Sequence, residues 1–167
     1  PSMDEAHALA TLLRHAMPEL TSLDISGEVA DQALRLVGEA LLSRTASKLV
    51  AVKCEAFEVP SDATSLDLSR RQLGAGGAHL LAGVVKFNAV MTECNLLNNN
   101  LDVESAKTLA KIGSEKGVML SGIKHDQTEA NFYGQGLQPA DGILIASDLA
   151  VSAVLTSLDL STNYLGP

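Results

Sequence analysis

The chain has 167 residues, one domain's worth, and a formal net charge of −8. Such a balance disfavours nucleic acid and favours a basic protein partner, and no apolar run approaches the roughly 18 residues that span a bilayer. Hydrophobic residues make up 46%, aromatics only 3%, and Trp is absent, so a core of Leu, Val, Ile and Ala is expected under a surface poor in the usual interface anchors.

In chain order, Asp4–Met17 reads as a helix. Thr21–Ser26 then spells TSLDIS, a phrase that returns as TSLDLS at Thr64–Ser69 and Thr156–Ser161. Leu66 and Leu68 alternate with Ser65, Asp67 and Ser69, the pattern of a strand with one buried face. Before the second copy, Lys48–Lys53 predicts a strand at Leu49–Val52 and a turn over Glu55–Asp62. After it, the apolar spacing of Leu80, Leu81, Val84 and Val85 predicts a helix. A related phrase runs over Met91–Leu101, and Val103, Ala106, Leu109, Ala110 and Ile112 continue as a helix starting at Asp102. Met119–Lys124 resembles Lys48–Lys53 and predicts a strand at Leu120–Ile123 with a turn over Lys124–Gln127. A weaker phrase covers Gln127–Leu137, and Pro139 opens a helix through Ile143, Leu144, Ala146 and Leu149. The links after the two irregular strands are short, which predicts antiparallel pairing with the phrases that follow.

Leu155–Leu165 fits L-x-x-L-x-L-x-x-N-x-L at every position. Met91–Leu101 fits with Met91 and Cys94 as apolar substitutes, Ala63–Leu73 fits with Arg71 in place of Asn, and Leu20–Ala30 keeps the strand half. The chain therefore resembles the leucine-rich repeat family. Leu73 to Leu101 and Leu137 to Leu165 are both 28 residues, a length that resembles the ribonuclease-inhibitor-like subclass. The resemblance implies an α/β curved solenoid, with a mostly parallel sheet on the concave side and helices on the convex side. It makes residues 1–167 a single repeat domain, and the lack of evident polar caps leads to the expectation of a fragment of a longer chain or of a short array that caps its ends by self-association. The period breaks near 48–62 and 118–128, where insertions are tolerated at little cost. A break, a phrase, a helix and another phrase recur over Lys48–Leu101 and Met119–Leu165, the mark of a duplicated block.

In register, the outward strand positions are Ser22, Asp24 and Ser26; Ser65, Asp67 and Ser69; Glu93, Asn95 and Leu97; Glu129, Asn131 and Tyr133; Ser157, Asp159 and Ser161. Neighbouring strands lie about 4.8 Å apart, so these residues are expected to line one polar, acidic face. Leu97 and Tyr133 depart from the recurring Ser and are the expected contact anchors. The functional expectation is protein–protein recognition by this concave face. The alternatives are a structural or assembly subunit, or, by the resemblance, an inhibitor or activator of an enzyme.

Catalysis, a cofactor and a metal are not expected. His7, His15, His79 and His125 are scattered without partners at ligand spacing, and no nucleophile motif accompanies His125-Asp126. Gly74-Ala-Gly76-Gly77 lacks the Lys-Ser/Thr of a phosphate loop. Arg71 reads as drift within a degenerate repeat. Two cysteines, Cys54 and Cys94, make no disulfide framework, Cys94 being expected in the core. Together these features lead to an intracellular expectation.

Overall fold

A computed structural model describes residues 2–166; Pro1 and Pro167, the outer bounds of the expected domain, lie outside the described residues. The fold is mixed α/β. Its elements are α1 (Met3–His15), β1 (Ser22–Asp24), α2 (Asp31–Leu42), β2 (Ala51–Lys53), β3 (Glu58–Val59), β4 (Ser65–Asp67), α3 (Gly74–Val85), β5 (Glu93–Asn95), α4 (Val103–Lys116), β6 (Glu129–Asn131), α5 (Pro139–Val151) and β7 (Ser157–Asp159). Two compact units result, Pro1–Thr64 with Leu73–Met91, and Ser65–Gln72 with Thr92–Pro167.

In the first unit, α1 starts with a capping box between Ser2 and Glu5. That box satisfies N–H groups that have no partner inside the helix. Ala6, Ala10 and Leu13 form its buried stripe, and α1 packs on α2, which packs on α3. The α2–α3 approach is very close. A Cβ added at Gly76 would lie 2.0 Å from the Asp31 carbonyl oxygen, and one at Gly38 would lie 2.3 Å from the His79 carbonyl carbon. Gly76 also donates its N–H to Asp31 Oδ1 at 2.7 Å. The glycine run at 74–77 is thus a helix-packing device, since only glycine permits such backbone proximity. Two cations close the helix ends. Arg44 donates to the Leu13 carbonyl, and Lys86 donates to those of Leu42 and Arg44; last-turn carbonyls otherwise lack partners.

The sheet of this unit runs β1-β2-β3. The strand expected at Leu49–Val52 forms at Ala51–Lys53 and pairs parallel with β1, Leu23 opposite Val52. The Thr21 carbonyl sets that register by accepting the N–H groups of Val50 and Ala51. The antiparallel partner of β2 is not the following phrase but β3, which lies inside the segment expected to be turn. Cys54 donates to the Phe57 carbonyl at 2.9 Å and so closes a tight hairpin. A helix, α2, follows the first phrase as it follows others, and Ala33, Leu34, Val37, Ala40 and Leu41 form its buried stripe.

In the second unit, β4 pairs parallel with β5, Leu66 opposite Cys94, and β6 pairs parallel with β7, Ala130 opposite Leu158. Both pairings join residues 28 apart, as in Ser65 and Glu93. The expected strand Leu120–Ile123 does not form. Met119 bridges to Glu93 and the Leu120 carbonyl accepts the Leu96 N–H at 2.9 Å, but the N–H groups of Leu120 and Ser121 go to Asp148 of α5. The antiparallel link to β6 expected for this segment is likewise replaced by the parallel β6–β7 pair. A core of Leu97, Met119, Ile123, Ala130, Phe132, Leu137 and Ile145 lies between these strands and α5. Helix α4 is capped by Asp102, whose carboxylate accepts the Ser105 N–H, and stops at Gly117 in the left-handed region (φ 68°), a standard helix terminator.

Candidate functional site

The five phrases share one local construction. Each three-residue strand ends in Asp or Asn, and that side-chain oxygen accepts the backbone N–H two residues on. The pairs are Asp24–Ser26 (2.8 Å), Asp67–Ser69 (3.0 Å), Asn95–Leu97 (3.2 Å), Asn131–Tyr133 (2.8 Å) and Asp159–Ser161 (2.9 Å). Asx turns of this kind end a strand by offering its N–H a local partner. The next residue is left-handed in every copy: Gly27, Arg70, Asn98, Gly134 and Thr162. Two buried or half-buried asparagines then lace strands together. Asn99 donates to the carbonyls of Leu68 and Leu96 and accepts from Arg71 N–H. Asn163 donates to those of Phe132 and Leu160 and accepts from Leu137 N–H. The Arg71 position therefore lacks its own Asn but has its backbone held by the neighbouring copy.

The outward residues divide among three sheets rather than one; residues 119–123, which lie between β5 and β6 in the chain, supply an isolated bridge to Glu93 and no strand. Within each sheet the register separates like charges. Asp24 faces Lys53, which also pairs with Glu58 at 3.7 Å. Glu93 faces Ser65, whose hydroxyl donates to it at 3.2 Å, and Asp67 faces Asn95. Glu129 faces Ser157, and Asp159 faces Asn131. No two carboxylates are directly opposite in these pairs, an arrangement that avoids the destabilisation of like charges across a ladder.

Asp24, Asp67, Glu129 and Asn131 are exposed, and Glu93, Asn95 and Asp159 are half-buried. The three aspartates are also structural. The Ser26, Ser69 and Ser161 side chains, then their N–H groups, hold the carboxyls of Asp24, Asp67 and Asp159 below the usual range. Tyr133 is 61% exposed. Leu97, expected as an outward anchor, is instead 3% exposed and part of the core. The strand alternation stops at Asn95, and the turn directs Leu97 inward against Met119 and Phe132. Cys94 is buried as expected, and burial pushes its thiol up to about 12.

The largest polar feature missed in the sequence is Asp148. It is 0% exposed and accepts the N–H groups of Leu120 and Ser121 and the Ser121 hydroxyl at 2.6–2.9 Å. Burial pushes its pKa up, against the pull of these donors. A carboxylate inside the apolar run Ile143–Leu149 was the available signal. Among the described residues no group of three or more His, Cys, Asp or Glu could hold a metal ion, and no helix is long and apolar enough to cross a membrane.

No family model and no curated protein matches the chain. Among solved structures it is similar to one described as the tropomodulin C-terminal domain from Caenorhabditis elegans, at 12% identity and a TM-score of 0.37, over 94% of this chain and 83% of that one. The likeness is too loose for fold or function to be carried across.

Proposed function

We propose that the chain is a leucine-rich repeat module of the ribonuclease-inhibitor-like kind, a curved solenoid whose concave strand rows bind a protein partner with basic groups. The repeat assignment is supported by the 28-residue offset between paired strands, the same as the sequence period, and by the lacing asparagines Asn99 and Asn163. The observation that carries the recognition role is Tyr133. Where Ser26, Ser69 and Ser161 end the row in three copies, this one presents a largely exposed aromatic ring. Glu129 and Asn131 precede it on the outward row, and Asp159 lies across the ladder from Asn131. A row with an exposed aromatic at one end and carboxylates elsewhere along it suits a partner bearing several Lys or Arg side chains, by cation–π attraction at the ring and ionic attraction at Glu129.

Tyr133→Ser with Glu129→Gln tests this, because Ser already serves in the equivalent place. The expected result is a folded variant by circular dichroism that no longer captures a basic partner which the wild-type chain retains from lysate. Equal capture by both proteins would overturn the reading. A second reading, association through the β7 side, is favoured by Leu155, Leu158, Leu160 and Leu165, which are only half-buried. Concentration-dependent sedimentation, lost on Leu158→Lys, is its expected signature.

A further inference from the structure

In a chain of net charge −8, one hollow in the second unit is lined without a single carboxylate. It has a volume of about 260 Å³ and lies past the ends of β4 and β5, bordered by Arg70, Asn95, Asn98, Gly122 and Gln135, with buried Leu97 and Phe132 contributing. Its polar groups are rich in donors. A guanidinium brings five N–H groups in a fixed fork, and each carboxamide brings two. We infer that this hollow is a carboxylate-binding subsite, taking one Asp or Glu side chain, or a C-terminal carboxylate, from a peptide partner.

Three observations carry this. The first is Arg70 itself, a long side chain at a backbone φ of 58°. The equivalent place holds Gly in two copies, Gly27 and Gly134, and Asn or Thr in the others. A bulky residue in the left-handed region is disfavoured, and such outliers concentrate at ligand sites. The Arg70 N–H is fixed on the Leu97 carbonyl at 3.1 Å, so the start of the side chain is set.

The second is Asn95. Its Oδ1 accepts the Leu97 N–H, which leaves the donor end of the amide on the other side. There it lies over Gly122, where an added Cβ would come within 3.0 Å of Nδ2. Three phrases have Asp where this one has Asn, so the copy beside the hollow is one that lacks the charge.

The third is that the nearby carboxylates are already engaged: Asp141 accepts the backbone N–H groups of Asn98 and Gln138 and does not line the hollow. Asp67 feels both Arg70 and Arg71, but its strongest partners are the Ser69 hydroxyl and N–H, and it does not line the hollow. The Arg70 fork can therefore grip an incoming carboxylate through two parallel N–H···O bonds, a geometry that lysine lacks.

This inference rests on the proposed recognition role only in supposing that the carboxylate arrives on a protein; the hollow can be tested without any partner. The probes are N-acetylglutamate amide for a side-chain carboxylate, N-acetylglycine for a C-terminal one, inorganic phosphate, and N-acetyllysine amide as control. Each is titrated into the 15N-labelled chain at low ionic strength. The expected result is a saturable shift of the Arg70 Nε–H and of the Asn95, Asn98 and Gln135 side-chain amides with at least one carboxylate probe. Which one shifts them identifies the source, and lysine amide is expected to do nothing. Arg70→Gly should fold at least as well, since Gly is used at this place elsewhere, and should weaken binding by about tenfold or more. The inference is overturned if neither carboxylate saturates these resonances, if phosphate alone does, or if Arg70→Gly binds as tightly as wild type. Failure here with partner capture intact leaves the Tyr133 row standing; the reverse outcome leaves the subsite standing.

Discussion

Replacing Asp148 with Ala tests the most concentrated polar anchor in the molecule. The carboxylate accepts two backbone N–H groups and one hydroxyl, all from buried residues, Leu120 and Ser121. Alanine leaves all three donors without that acceptor. Each unsatisfied buried donor costs about 1–3 kcal/mol, while removal of the carboxylate also removes the desolvation penalty that raises its pKa. Water entering the vacated space recovers part of this, so a net loss of about 2–3 kcal/mol is expected. Urea unfolding followed by circular dichroism measures it as a lowered midpoint at unchanged slope. Hydrogen exchange adds the location: the Leu120 and Ser121 amides should lose protection first. In a double-mutant cycle with Ser121→Ala the two changes should be strongly non-additive, because they share one network. An Asp148→Ala midpoint within about 0.5 kcal/mol of wild type, with both amides still protected, would refute the view that Asp148 holds this segment out of the sheet ladder.

Two further predictions concern the strand rows. The carboxyls of Asp24, Asp67 and Asp159 are held below 3.8 by their serines. Their contribution is therefore full above 3.8 and lost as the pH falls through the lowered folded values. Asp24→Asn/Asp67→Asn/Asp159→Asn keeps an acceptor that Asn95 and Asn131 already use, so this variant should fold and lose less stability between neutral pH and pH 2 than wild type; parallel acid-unfolding curves would contradict it. Leu97→Ala should cost about 2–4 kcal/mol in the same urea assay, as for a buried leucine, whereas a result near zero would return Leu97 to the outward face.

The repeated phrase determined where β1 and β4–β7 lie and that an apolar helix follows most of them. Alternation and helical spacing are local properties, readable wherever Leu66 and Leu68 bracket an aspartate or Leu80, Leu81, Val84 and Val85 recur at helical spacing. The helix starts at Asp102 and Pro139 were legible for the same reason, since capping chemistry acts within one turn. Partnership was not. Leu49–Val52 and Leu120–Ile123 look alike as strings, yet one becomes a paired strand and the other keeps an isolated bridge and one further carbonyl contact, because Asp148 takes the amides of Leu120 and Ser121. Leu97 continues the strand alternation on paper, but a hydrogen bond from its own N–H to Asn95 turns it into the core. The carboxylates share an outward parity in the sequence, and only the pairing register decides that each faces Lys, Ser or Asn. Local pattern thus determined the elements of the repeated phrases and which side of those strands is apolar, but not β3 or the fate of Leu120–Ile123. Which strands pair, which amides Asp148 takes and where Arg70 and Asn95 border one hollow follow from residues distant along the chain being brought together, and those only the tertiary structure decided.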